Sequence, residues 1–124
     1  MARVLLIGFA GFIGTIARYW LSGTVDRKYG ETFPYGTLAV NAFGCFLAGF
    51  LFYFFYERTL GSPMLRTAVF VGLLGGFTTF SSYGLQTFTL VRDGQVALAL
   101  LNIGVSNVAC LFLVWAGYRL AVLI

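Results

Sequence analysis

The chain has 124 residues, 60% hydrophobic and only 10% charged, with a formal net charge of +4. Soluble domains carry about 25% charged residues, and a chain this short has too little interior to hide so much apolar surface from water, so the composition excludes an ordinary soluble domain. Its cations stand singly along the chain with no basic stripe, which excludes a nucleic-acid footprint.

The first apolar stretch runs from Val4 to Leu21 and is interrupted only by Arg18. Arg3 precedes it as in a signal peptide, but no small-residue cleavage site follows, and Arg18-Tyr19-Trp20 has the character of an interfacial helix end; the N-terminus is expected to be retained. Gly8, Gly11 and Gly14 recur at helical spacing, as helices that pack closely in lipid require. Residues Ser22 to Pro34 hold Asp26, Arg27, Lys28 and Glu31 with Gly30 and Pro34 as breakers, and read as a connection. The second stretch, Tyr35 to Tyr56, has no charge and one amide, Asn41. Gly61-Ser62-Pro63 marks the next turn. The third stretch is Thr67 to Val91, followed by a short hairpin at Arg92-Asp93-Gly94, and the fourth is Val96 to Tyr118, closed by Arg119. Each is close to the roughly 20 residues that cross a bilayer core. Lipid satisfies no backbone N–H or C=O group, so each is expected to be a helix. The fold class is therefore an all-α integral membrane protein with four transmembrane helices in a single domain.

Orientation signals are balanced. With four spans both termini share one side, which holds Arg3, Arg58, Arg66 and Arg119; the other holds Arg27, Lys28 and Arg92, joined by Arg18 if its side chain snorkels outward. Lys/Arg asymmetry sets topology, and its absence predicts insertion both ways round and an antiparallel, dual-topology homodimer. A dimer would also double the walls available for a pore.

The third span departs from ordinary helix. Residues Gly72 to Gly84 include Gly75-Gly76, Thr78-Thr79 and Ser81-Ser82, which are poor helix material. A break is predicted near Gly75 to Thr79. Non-helical backbone at membrane depth survives where it is protein-buried or lines a cavity, and broken helices recur at ion sites in transporters; a kink padded by Ser/Thr back-bonding is the simpler alternative. Asn102, Ser106 and Cys110 share one face of the fourth helix, beside Asn107. Cys45 and Cys110, each in an apolar run, read as small hydrophobes rather than a disulfide.

No Asp, Glu or His lies within a span, so there is no acidic proton relay, no anionic site for an organic cation and no constellation for an enzyme. The groups in the membrane are neutral donors, namely Asn amides, hydroxyls and aromatic ring edges, together with Arg18. Such a set suits a small anion better than a cation.

Three segments carry a family resemblance: Gly8-x-x-Gly11-x-x-Gly14-x-x-x-Arg18-Tyr19, Gly36-Thr37-Leu38-x-Val40-Asn41-x-x-Gly44, and Gly72-x-x-Gly75-Gly76-Phe77-Thr78-Thr79-Phe80-Ser81. Over nearly its whole length the chain resembles the fluoride channel family called Fluc or CrcB. The resemblance implies a dual-topology dimer in the plasma membrane, with two antiparallel fluoride pores and a structural sodium ion (Na+) at the dimer centre. It implies that backbone carbonyls of Gly75 and Thr78 hold the sodium, that Phe80 turns its ring edge to fluoride, and that Asn41 donates an amide proton. Arg18 is similar to a vestibule arginine, and Thr37, Ser81 and Ser106 to members of a hydroxyl track. Tyr83 stands where the family commonly has a second Phe, and Cys110 where another Ser would lengthen the track. The rival readings are a small four-span multidrug transporter, opposed by the lack of an acid in the first span, and a non-transporting assembly subunit, which leaves Gly75 to Ser82 unexplained.

Overall fold

The computed structural model describes residues 1–124. Helix α1 spans Ala2–Tyr29. Helix α2 spans Tyr35–Phe52 and continues as π-wound turns through Tyr53–Glu57. The third span opens with α3, made of Pro63–Thr67, a π-wound stretch Ala68–Leu74 and Gly75–Phe77. It resumes after a break as α4, Phe80–Arg92, and α5 spans Val96–Leu123. The four spans are 28, 23, 30 and 28 residues long and apolar enough to cross a membrane. At about 1.5 Å per residue the shortest already exceeds a hydrocarbon core of about 30 Å, so the helix ends project into the headgroups.

That excess length changes the first connection. The segment read from sequence as a linker is helical up to Tyr29, through Asp26, Arg27 and Lys28. Charged side chains mark where lipid stops, not where hydrogen bonding stops, and the helix ends only at Gly30, whose φ of 87° few other residues adopt. The extra turns bring the Asp26 carboxylate to the start of α2, where Oδ1 accepts the Gly36 N–H at 2.8 Å. An acid there satisfies an orphan amide and meets the positive end of the helix dipole. The α4–α5 hairpin keeps a surface pair, Arg92 Nε to Asp93 Oδ1 at 2.9 Å. This hydrogen bond holds the Asp93 carboxyl below the ordinary carboxylate range.

Packing rests on small residues. Only 18 of 124 residues are buried, and the most enclosed, such as Val40, Ala99, Asn102 and Ala121, are small or medium-sized. Many Leu and Phe side chains and both Trp point outward, as a lipid-solvated bundle allows. The most extensive contact is α2 with α5. A Cβ at Gly49 would overlap the Val114 carbonyl, and one at Gly117 the Phe46 carbonyl, so these backbones touch. The two helices run parallel: Cys45 neighbours Cys110, Gly49 meets Val114, and Glu57 accepts from the Tyr118 hydroxyl at 2.9 Å, advancing together along both. Gly14 on α1 and Gly72 and Gly76 on α3 bring these helices together in the same way, with Gly11 in ordinary contact beside Gly72, whereas Gly8 faces open space, because steps of three residues drift around a helix of 3.6 per turn.

Candidate functional site

Two threonines end one helix and start the next. Thr78 (φ −83°, ψ 156°) and Thr79 (φ −148°, ψ 108°) are extended between α3 and α4. Thr78 closes α3, since its amide and its hydroxyl both donate to the Leu74 carbonyl at 2.9 Å. Thr79 is the N-cap of α4: its Oγ1 accepts the Ser82 amide at 3.2 Å and donates to Ser82 Oγ at 2.9 Å, with Ser81 Oγ 3.3 Å away. β-Branched hydroxyl residues are stiff in a helix and strong at caps, so the Thr pair places the break at the end of the window expected from sequence.

The backbone freed by the break is satisfied from other helices. The Thr79 N–H donates to Asn41 Oδ1 at 2.7 Å, and Asn41 Nδ2 donates to the Thr79 carbonyl at 3.0 Å. This two-way pairing fixes the amide's orientation, since the reversed amide would face N–H with NH2 and oxygen with oxygen. It leaves one Nδ2 proton uncommitted. On the other side, Arg18 Nε donates to the Gly76 carbonyl at 3.0 Å, placing a cation at the C-terminal end of α3 where carbonyls lack intrahelical donors. The amide that would close the helical turn on the Gly75 carbonyl is that of Thr79, which is engaged by Asn41.

Beside the break lies a cleft of ≈ 250 Å³. Asn41 and Cys45 line it from α2, Thr78, Thr79, Phe80 and Tyr83 from the broken span, and Ser106, Asn107 and Cys110 from α5. No acid and no formal cation is among its walls. The Phe80 ring is 80% exposed and lies 5.2 Å from the Tyr83 ring. The Tyr83 hydroxyl accepts from Asn107 Nδ2 at 3.1 Å. A chain of hydrogen bonds continues behind the cleft: Ser106 Oγ donates to Asn102 Oδ1 at 3.1 Å, Asn102 Nδ2 to Thr87 Oγ1 at 2.9 Å, and Thr87 Oγ1 to the Tyr83 carbonyl at 2.7 Å. The chain ties α4 to α5 and orients the Ser106 hydroxyl toward Asn102.

The fold thus gathers Asn41, Thr78, Phe80, Tyr83 and Ser106 around one cleft. Thr37 is buried outside it. Ser81 sits on the exposed side of the cap, Gly75 on an exposed face of α3, and Arg18 between α1 and α3. Four wall residues had no assigned role: Thr79, Cys45, Asn107 and Leu111. Cys45 was legible in principle, since it follows Asn41 by one helical turn.

A chain of four apolar helices with a broken third span beside a donor-lined cleft is a multi-pass membrane protein. The family model described as "CrcB-like protein, Camphor Resistance (CrcB)" matches residues 5–118. Relatives named "Fluoride-specific ion channel FluC" include one from Citrifermentans bemidjiense, 44% identical over 121 residues and 98% of each chain. Another, from Opitutus terrae, is 46% identical over 130 residues, covering 98% of this chain and 94% of its own. A third, from Geobacter sulfurreducens, is 44% identical over 98% of each. The chain belongs to the CrcB family of fluoride channels.

Proposed function

We propose that this protein lets fluoride leave the cell across the plasma membrane through a pore that includes the cleft beside Thr78 and Thr79. The observation that carries the reading is the Asn41–Thr79 clamp, set in a wall of amide, hydroxyl and aromatic donors with no acid. Fluoride is small and strongly hydrated, so donors must replace its water. They must also be weak enough to let it go. The free Nδ2 proton of Asn41 and the ring edges of Phe80 and Tyr83 are such donors, joined by the Ser106 hydroxyl when it turns from Asn102 Oδ1 to the ion. Thr37 and Ser81 would extend the hydroxyl track beyond the cleft.

The working unit is an antiparallel homodimer with two pores. Two features support it: the balanced Lys/Arg count, and the exposure of Phe80 at the rim of a cleft that is open in a single chain. A sodium ion at the dimer centre fits the donor set, because the exposed Gly75 carbonyl has lost its helical partner and Thr78 is extended. Two carbonyl oxygens from one chain are too few for a hard cation, which takes several oxygens, so a second copy supplies the remainder. Bound there, the ion would neutralise the carbonyl dipoles at the C-terminal end of α3.

Liposomes holding the purified protein are expected to release fluoride, followed with a fluoride electrode, and to retain chloride. Phe80→Ile removes the ring edge and is expected to slow release about tenfold, at about 1–1.5 kcal/mol for one aromatic contact. Silence toward both ions from folded protein would return the assembly-subunit reading. For the antiparallel unit, a reporter fused to the C-terminus is expected on both faces of the membrane, and its confinement to one face would refute that arrangement.

A further inference from the structure

Conduction as proposed makes no use of the two thiols in the cleft. Cys45 on α2 and Cys110 on α5 are free and half-buried, both line the cleft, and the thiol neighbouring Cys110 is that of Cys45. Helix register enforces the pairing. One turn beyond Cys45 and Cys110, Gly49 lets the α2 backbone press on the Val114 carbonyl, so the parallel helices are at close approach beside the two thiols that line the cleft.

A thiol pair in a donor-rich cleft is a ligand set for particular metals. Zinc needs four ligands, and no third His, Cys, Asp or Glu joins this pair. Soft d10 monovalent cations select thiolates, and two thiolates in line complete their coordination. We propose that Cys45 and Cys110 form a two-thiolate site for a soft cation of the Cu(I)/Ag(I) class, and that its occupancy closes the cleft to fluoride. Binding releases one proton from each thiol as the metal–sulfur bonds form, with no change of oxidation state. The resulting bis-thiolate complex carries one net negative charge. The uncommitted Nδ2 proton of Asn41 and the hydroxyl proton of Tyr83, which share the cleft, are neutral donors free to hydrogen-bond to the metallated sulfurs. The complex obstructs the path and also repels an anion in a low-dielectric site. The blocking half of this proposal rests on the fluoride-pore reading, whereas the binding half does not.

The test uses Ag(I), which is redox-inert here, on the reduced full-length protein. Titration in detergent, followed by thiolate-to-metal absorption and by counting reactive thiols, is expected to give one silver per chain with both thiols protected. Cys45→Ser and Cys110→Ser are each expected to weaken binding at least tenfold. In liposomes, silver is expected to stop fluoride efflux in the wild type, with recovery in excess dithiothreitol. Each Ser variant, compared with its own silver-free efflux, is expected to resist the same dose. Equal silver affinity in the wild type and the Ser variants would overturn the site. Stoichiometric binding with unchanged efflux would overturn the block. Protein that binds silver through both thiols but releases no fluoride in any condition would refute the conduction reading and leave the metal site standing.

Discussion

Asn41→Asp is expected to reduce fluoride efflux about 100-fold, although it exchanges a single NH2 for oxygen. Asn41 Oδ1 still accepts the Thr79 N–H in the variant, but the second carboxyl oxygen now faces the Thr79 carbonyl, where Nδ2 had donated at 3.0 Å. Two acceptors in contact, with a half-buried backbone carbonyl left unpaired, cost about 2–4 kcal/mol. A decade in rate is about 1.4 kcal/mol. A negative charge in the cleft adds to the barrier for an anion, so the transport loss exceeds the loss of fold. Asn41→Ala separates the two effects. It removes both hydrogen bonds without adding charge and is expected to lower thermal stability by an amount similar to the Asp variant, with a smaller loss of efflux. Efflux and melting midpoint measured side by side decide it. Wild-type efflux from a folded Asp variant would show that position 41 neither shapes nor faces the path.

The clamp also shows where reading from sequence stops. The four spans, and the break inside the third, rest on local chemistry: charge-free runs, Gly-Ser-Pro and Asp-Gly turns, and Thr-Thr stiffness all lie within a few residues of what they determine. The contacts that complete the site do not. Asn41 and Thr79 are 38 positions apart, and nothing near either residue says that one amide serves the backbone of the other. Likewise, the shared face of Asn102, Ser106 and Cys110 follows from helical spacing, but that Cys45 opposes Cys110 depends on the register of α2 on α5, which close contacts such as Gly49 with Val114 set. The length of α1 escaped for a different reason. Arg27 and Lys28 lie beyond the apolar run and read as linker, yet they suit the last turn of a helix, and hydropathy measures lipid, not hydrogen bonds. Phe80 was assigned from resemblance, and the fold of one chain leaves it an exposed ring.

Arg18 separates two roles that sequence alone leaves joined. As an attractor of anions it would need only its charge. As a cap on the broken helix it needs a planar N–H directed at the Gly76 carbonyl, which Nε supplies at 3.0 Å. Lysine keeps the charge but replaces the rigid fork with a flexible, strongly hydrated ammonium. Arg18→Lys is therefore expected to lose most of what Arg18→Met loses, about 30-fold in efflux, for about 2 kcal/mol of unpaired carbonyl at the end of α3. The deficit of both variants is expected to persist in high salt, because a hydrogen bond between adjacent helices is not screened as surface charge is. A Lys variant with wild-type efflux, and a Met variant whose deficit disappears at high ionic strength, would instead make Arg18 an electrostatic funnel. The geometry favours the cap. Gly76 lies between Gly75, whose carbonyl has lost its helical donor, and Phe77, the last helical residue before the extended Thr78–Thr79 backbone, so the bond from α1 holds one side of the break as Asn41 holds the other. Movement of either anchor would shift the same few atoms that face the cleft.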